Sequence, residues 1–235
     1  MSYLLIARLK GGLGNQLFCY AAARRLAWFN KAELVLDTVT GFKYDYRYRR
    51  SYALNAFHLP TRAATPSERM EPMAKLRHLI AHKISLGMRL EYKRYIRQIG
   101  IKFDPGILTL KLKRGVTYFD GFGQSELYFN DIRELLLQDL TMTPPSDEYS
   151  VVIANQIAAT KSVCLHVRWF DTEQGSTSAN IPLAYYERAI QQVLRRHRDV
   201  HFFIFSDKPK LAGELLDSVL KNRGYTIAVS YTHLR

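Results

Sequence analysis

Cysteine is scarce. Cys19 and Cys164 are the two in 235 residues, too few for a disulfide framework and not in any metal-type spacing. A reducing, cytosolic setting follows as the expectation. Long apolar runs are also missing, and none approaches the ~20 residues of a membrane span. Tyr3-Leu4-Leu5-Ile6-Ala7 lacks a basic n-region and runs at once into Lys10-Gly11-Gly12, so it reads as a first strand rather than a signal peptide. No Asp-x-Asp occurs anywhere, which argues against a metal-bridged diphosphate site. Acid is short relative to base. Asp plus Glu is 21 against 34 Lys plus Arg, a net charge of +13, which suggests an anionic partner: nucleic acid, a membrane surface or a phosphorylated substrate. The remainder is ordinary. With 47% hydrophobic and 23% charged residues, the chain is globular rather than disordered, long enough for one large domain or two small ones.

The opening is the most regular stretch. A buried strand over Tyr3 to Leu9, a glycine turn over Lys10 to Gly14, a helix over Asn15 to Asn30 and a strand over Leu34 to Asp37 make a β-turn-α-β unit with parallel pairing. Residues 38–72 read as loops and short elements. Residues 69–102 read as a long basic helical region, with nine Lys/Arg against Glu71 and Glu91. Met73, Leu76, Leu79, Ile80, Ile84 and Met88 recur in it at three- and four-residue spacing. A strand is expected at Thr117 to Phe122 and a helix at Asp131 to Leu140. Thr143-Pro144-Pro145-Ser146-Asp147 is the linker, which sets domains at 1–145 and 146–235. The second half resumes α/β alternation: strand Ser162–Arg168, polar loop Thr172–Asn180, helix Leu183–Arg196 opened by Pro182, strand Val200–Phe205, helix Lys210–Asn222 and strand Thr226–Ser230. Three strands are few for a doubly wound sheet, so the second domain is expected to be truncated.

Four segments carry chemistry. Gly11-Gly12-Leu13-Gly14-Asn15-Gln16 joins a strand to a helix, where glycines permit positive φ and close ligand approach and the helix N-terminus offers N–H groups to an anion. A dinucleotide fingerprint would need glycine where Leu17 stands, although Asp37 lies at a suitable distance for a ribose. No Gly-Lys-Ser/Thr follows, which excludes a Walker loop, and a plain tight turn is the rival reading. His166-Val167-Arg168-Trp169-Phe170-Asp171 places His166 and Arg168 on one face at the carboxyl end of a parallel strand, where open α/β sheets bind ligands. Arginine suits a pyrophosphate there; an ion pair of Arg168 with Asp171 is the rival. Phe202-Phe203-Ile204-Phe205-Ser206-Asp207 is a buried strand delivering two polar side chains to the same crest, or simply a helix cap. Asp120 to Phe129 mixes aromatic, polar and glycine residues, as a binding loop or a hairpin does. His78 and His82 have i, i+4 spacing but no third ligand, and read as a solvated face rather than a metal site. Cys164 reads as a small buried residue, and Arg47-Tyr48-Arg49-Arg50 as a solvated, acceptor-facing or membrane-facing loop.

Together these segments resemble the bacterial α-1,2-fucosyltransferases (a glycosyltransferase family 11-like pattern). Lys10-Gly11-Gly12-Leu13-Gly14-Asn15-Gln16-Leu17-Phe18 with Tyr20-Ala21 resembles the family's opening. Gly121-Phe122-x-Gln124-Ser125-Glu126-x-Tyr128-Phe129 resembles its middle motif. His166-x-Arg168-x-x-Asp171 and Phe203-Ile204-Phe205-Ser206-Asp207 resemble the next two, in the family's order. The resemblance implies an α/β, GT-B-like fold of two Rossmann-like parallel-sheet domains: an N-terminal acceptor-side one, and a C-terminal donor-binding one that is incomplete here. It implies inverting transfer of L-fucose from GDP-β-L-fucose to the 2-hydroxyl of a galactoside in a surface glycan, with no metal or other cofactor. Gly12, Gly14, Asn15, His166, Arg168, Ser206 and Asp207 would then meet the donor and its phosphates, and Gln124 and Ser125 the acceptor. Asp171, Asp120 and Glu126 are the candidates for the base. Trp169-Phe170 stand where the family commonly has Arg-Gly, Lys208 where an acidic residue often follows, and the family's later Ser/Asn- and Trp-rich segment does not occur before Arg235. Residues 69–102 could hold such a cytoplasmic enzyme peripherally at the inner membrane, near a lipid-linked acceptor. The alternatives are a dinucleotide-binding oxidoreductase and a basic RNA- or membrane-surface-binding protein; no nucleic-acid-binding signature accompanies the charge.

Overall fold

Tyr3–Arg8 (β1) is the middle strand of a parallel sheet in the computed structural model, which describes residues 2–98, 100, 102–169, 180–221 and 223–229. The chain divides into two compact units, 1–143 and 144–235, each with its own parallel sheet. The α/β class expected from the alternation is the one observed.

In the first unit the other strands are Glu33–Asp37 (β2), Arg62–Ala63 (β3), Tyr95–Arg97 (β4) and Gly115–Asp120 (β5), in the order β3-β2-β1-β5-β4. All four pairings are parallel, with Ile6 opposite both Val35 and Tyr118. Helix α1, Leu13–Asn30, covers one face. Alternation along β1 sends Leu5 and Ala7 into the cluster that holds Cys19, Ala23 and Leu26 of α1, while Ile6 joins Val35, Tyr95 and Tyr118 on the opposite face. On that second face lies α2, Ala74–Leu86. Two 3-10 turns then lead into the short helix α3, Arg133–Asp139. The loop after β2 crosses the end of β1 so closely that a Cβ on Gly41 would stand 1.9 Å from the Leu9 carbonyl oxygen. Only glycine fits there.

The second unit opens with α4, Glu148–Ala159, capped by the Asp147 carboxylate, which accepts from the Ser150 N–H at 2.8 Å. Strands Ser162–Val167 (β6), His201–Ser206 (β7) and Tyr225–Val229 (β8) pair in parallel in that order. Helices α5, Leu183–Arg196, and α6, Pro209–Leu220, bury one face of this sheet through Tyr186, Ile190, Ala212, Leu216 and Leu220. Ile153 of α4 packs on Phe203 and Ala228 from the other side.

Three expectations need correction. The first helix starts at Leu13 rather than Asn15, so Gly14 and Asn15 lie in its first turn. Residues 69–102 are not one helix. The chain leaves helical geometry near Gly87, and Tyr95-Ile96 pairs with Tyr118-Phe119 as an added strand, because β-prone aromatic and branched residues gain a ladder and a buried face there. His78 is buried rather than solvated, its ring 4.7 Å from that of Tyr118 and 5.6 Å from that of Tyr95. Helix α4 is an element the periodicity alone did not reveal. Among the described residues no helix is long and apolar enough to cross a membrane.

Leu26 is buried at the heart of the α1 layer, whereas Leu137 on α3 is exposed. Leu26→Ala is expected to cost about 2–5 kcal/mol in urea unfolding, from lost transfer energy plus the cavity left behind. Leu137→Ala should stay within about 0.5 kcal/mol. Equal costs at the two positions would contradict the packing.

Candidate functional site

Because every strand of the first sheet runs the same way, the strand ends collect at one edge, and the polar residues that close β1, β2 and β5 meet there. Asp120, at the end of β5, is buried. It accepts from Lys10 Nζ at 2.6 Å, from the Tyr95 hydroxyl at 2.9 Å and from Arg8 Nη1 at 3.3 Å. Asp37, at the end of β2, accepts from the N–H groups of Val39 and Thr40 at 3.1 and 2.9 Å, and from the hydroxyls of Tyr118 and Thr40. Arg8 reaches across to Thr40, donating from Nη2 to its carbonyl at 2.8 Å.

The glycine turn is bound to this knot through Lys10, whose ammonium also lies 4.5 Å from the Phe122 ring centre. Gly11 takes φ +80°, open to glycine and strained for other residues, and Gly12 is the extended residue before α1. No side chain caps that helix, so the N–H groups of its first turn are not taken by a cap. Gln16 is buried and joins three segments. It donates to the carbonyls of Gly11 and Ser51, both at 2.9 Å, and accepts from the Ala53 N–H at 2.9 Å. That tether brings loop 42–53 onto the turn. Arg50 Nε lies 4.0 Å from where a Cβ of Gly12 would be, and its guanidinium stacks on Tyr48 at 4.1 Å. Its acidic neighbour, Asp45, is 3.9 Å away. The middle motif arrives from the other side, with Gln124 Nε2 donating to Asn15 Oδ1 at 2.6 Å. Gln98 holds this loop by accepting from the Gly123 N–H at 2.9 Å. Ser125 caps a 3-10 turn, and Glu126 is exposed at its first position.

Thus Gly12, Gly14, Asn15 and Gln124 form one neighbourhood, with Ser125 and Glu126 on the loop that follows. Asp120 lies beneath as an anchor. Burial raises the pKa of its carboxyl, but Lys10 and Arg8, with hydrogen bonds from Lys10 and Tyr95, more than reverse this and hold it at about 2. A carboxylate so engaged orients its neighbours; it is not an open proton acceptor. Asp37 is fully buried with both oxygens engaged, which removes the residue that a dinucleotide-binding reading needs for a ribose. Arg50 and Gln16 were not among the expected site residues. The basic run around Arg50 was visible, but nothing in the spacing says that residue 50 returns to the turn at residue 12.

In the second unit Arg168 follows β6 and pairs with Asp207 just beyond β7, with Nη1 3.1 Å from Oδ2. The same carboxylate accepts from the Trp169 N–H at 3.1 Å. Asp207 therefore holds one end of the guanidinium; Asp171, the partner the sequence suggested, lies outside the described residues. Ser206 accepts from the Lys208 N–H at 3.0 Å, at the entry to α6. His166 is exposed. So is Cys164 on the same face of β6, rather than buried, because α4 packs on β7 and β8. The guanidinium side chain of Arg168 is 42% exposed, enough to meet a ligand while one end stays fixed.

No protein-family model matches the chain. It is 27% identical over 213 residues to an alpha-1,2-colitosyltransferase of Escherichia coli, covering 87% of this chain and 69% of that protein. To the O-antigen biosynthesis glycosyltransferase WbnK of Escherichia coli it is 27% identical over 224 residues, covering 87% and 72%. Among solved structures, the fucosyltransferase NodZ from Bradyrhizobium matches with a TM-score of 0.51 at 13% identity, over 97% of this chain and 79% of that one. NodZ alpha-1,6-fucosyltransferase soaked with GDP-fucose matches with a TM-score of 0.51 at 12% identity, over 99% and 80%. At these identities the structural likeness is one of fold. Together the matches support a glycosyltransferase with the fold of the solved fucosyltransferases.

The Asp120 knot has a pH signature. Its folded pKa of about 2 lies below the ordinary 3.8, so its contribution is present above pH 3.8 and is lost as pH falls toward 2. Asp120→Asn should cost about 3–5 kcal/mol at pH 7, because Lys10 and Arg8 lose their shared carboxylate. Urea unfolding at successive pH values should show that gap narrowing below about pH 4. An undiminished gap at the acid end would contradict the assignment.

Proposed function

We propose that this chain transfers L-fucose, or a closely related 6-deoxyhexose, from a GDP-sugar to the 2-hydroxyl of a galactoside in a surface glycan, with inversion at the anomeric carbon. The observation that carries the reading is Arg168, half-exposed at the carboxyl end of a parallel strand and steered by Asp207. A guanidinium has five N–H donors and does not deprotonate, and the pair with Asp207 uses one of them, which suits the remainder to a pyrophosphate. The names of the curated relatives, a colitosyltransferase and an O-antigen glycosyltransferase, support a deoxysugar donor and a polysaccharide acceptor. The NodZ structure soaked with GDP-fucose supports a guanine-nucleotide donor.

In the reaction so read, the acceptor oxygen bonds to the anomeric carbon as the bond from that carbon to the phosphate oxygen breaks. GDP leaves with the electron pair, and the acceptor proton passes to a base. Arg168, with the Ser206-Asp207 crest ahead of α6, would meet the charge developing on GDP, a role that needs no metal ion. Loss of one such donor typically costs ~3 kcal/mol of transition-state stabilisation. On the first unit, the uncapped N-terminus of α1 at Gly12, Gly14 and Asn15, with Arg50 beside it, suits an anionic or hydroxyl-rich group. Gln124 and Ser125 would address the acceptor. Glu126 and Asp171 are the remaining candidates for the base, with Asp120 orienting Lys10 and Arg8.

The test is thermal stabilisation of the chain by GDP and GDP-fucose, with NADH as the control. Ligand at a hundredfold excess over Kd should stabilise by ~2.7 kcal/mol, a rise of roughly 5–10 °C for a chain of this size. Arg168→Ala should abolish most of that rise while leaving the unliganded midpoint near the parent's. A variant that responds to GDP as the parent does, or a parent that responds to NADH alone, would overturn the reading.

A further inference from the structure

Helix α2 packs with its faces reversed. Successive helix positions turn by about 100°, so Ala74, His78, Ala81 and Ser85 fall on one side, and that small, polar side is the one against the sheet. The periodic apolar residues point away from the protein: Leu76 is 45% exposed, Leu79 and Ile80 47% each, and Ile84 61%. Met73 and Leu86, at its two ends, are exposed as well. An apolar stripe turned to solvent along a whole helix is costly unless something covers it.

The charge around the stripe indicates what covers it. From Met73 to Arg89 there are four basic residues, Lys75, Arg77, Lys83 and Arg89, and no acidic one. Lys75 and Arg77 flank the stripe and Lys83 lies within it. The nearest carboxylates along the chain are Glu71, already paired with Arg69 at 2.7 Å, and Glu91 beyond the helix, while Asp37 and Asp120 lie on the buried side with His78. His82 completes the titratable groups of the helix. At its N-terminal end Lys75 Nζ stands 4.9 Å from the Tyr44 ring centre, and Tyr44 meets Tyr46 edge-on, with both phenols exposed. Apolar side chains flanked by Lys and Arg, with tyrosines at one end, are the composition of a helix lying in the headgroup layer of a membrane. A second copy fits poorly, since a two-fold contact on this face would set Lys75, Arg77 and Lys83 against themselves.

We infer that the outer face of α2, with Tyr44 and Tyr46, is a docking surface for an anionic lipid bilayer, on which the helix lies parallel to the membrane plane. This goes beyond the sugar-transfer reading and does not depend on it.

Sedimentation of the full chain with phosphatidylcholine vesicles, with and without phosphatidylglycerol, tests the inference. Binding is expected to the phosphatidylglycerol vesicles and to weaken with salt. Lys75→Gln with Lys83→Gln should weaken it about thirtyfold, at ~1 kcal/mol per basic side chain. Ile80→Ser with Ile84→Ser should weaken it by at least about tenfold. Both pairs are exposed, and circular dichroism checks that each variant folds. Hydrogen exchange on the parent, which needs no variant, should slow across residues 74–86 when anionic vesicles are added. A parent that stays in the supernatant, or binds neutral vesicles equally well, overturns the inference. So does a dimer by light scattering that the serine pair abolishes while vesicles go unbound. GDP stabilisation is read separately, so failure here leaves the donor-site reading standing, and the converse holds.

Discussion

The buried carboxylate of Asp120 holds the first unit's site together. Parallel pairing brings β1 and β5 to an end at one edge, where Arg8 and Lys10 meet Asp120, and Tyr95, the first residue of β4, reaches the same carboxylate with its hydroxyl. Removing a carboxylate from water is costly, and the cost is offset here because two cations and a phenol converge on its oxygens. Lys10 is the residue before the glycine turn, so satisfying Asp120 also fixes where that turn begins. Asp37 does the same one strand over, gathering Thr40 and Tyr118 and closing the loop that crosses β1.

From that anchor the glycine turn inherits a fixed position, and Gln16 and Asn15 carry the rigidity outward. Gln16 ties the turn to loop 42–53, and Asn15 ties it to the middle motif through Gln124. The two sheets use one device. In the second unit Asp207, just past the end of β7, steers Arg168 after the neighbouring β6. In each case a carboxylate at one strand end orients a cation from the adjacent strand, which is how a parallel sheet presents charge at its carboxyl edge.

Much of this was legible in residues. The βαβ opening, the buried run Phe202–Phe205 and the crest Ser206-Asp207 follow from alternation, glycine placement and apolar continuity, which act over a few residues. The four motifs were visible as well, and their order pointed to the class of protein that the matches support. Helix α2 shows where such reading fails. A spacing of three and four residues identifies a helix and its apolar stripe, but assumes that the stripe faces the core. Here the sheet offers Tyr95 and Tyr118, whose rings meet that of His78, with Ala81 packed on the same cluster, and the stripe is left outside.

The sequence by itself determined the βαβ opening, most strands and helices of the second unit, the parallel pairing, and which residue types stand at the strand ends; it did not mark β4 or α4. Those properties depend on local sterics and on the period of burial. Only the tertiary structure decided the partners: that Asp120 is consumed by Lys10 and Arg8, that Asp37 turns inward, that Arg168 takes Asp207, and that Arg50 returns to Gly12. Apart from the local bonds of Asp37 to Val39 and Thr40, each of these joins residues about forty or more positions apart, brought together by strand order and loop path. Spacing along the chain carries no trace of that proximity, because the energy that selects it arises only once the sheet has assembled.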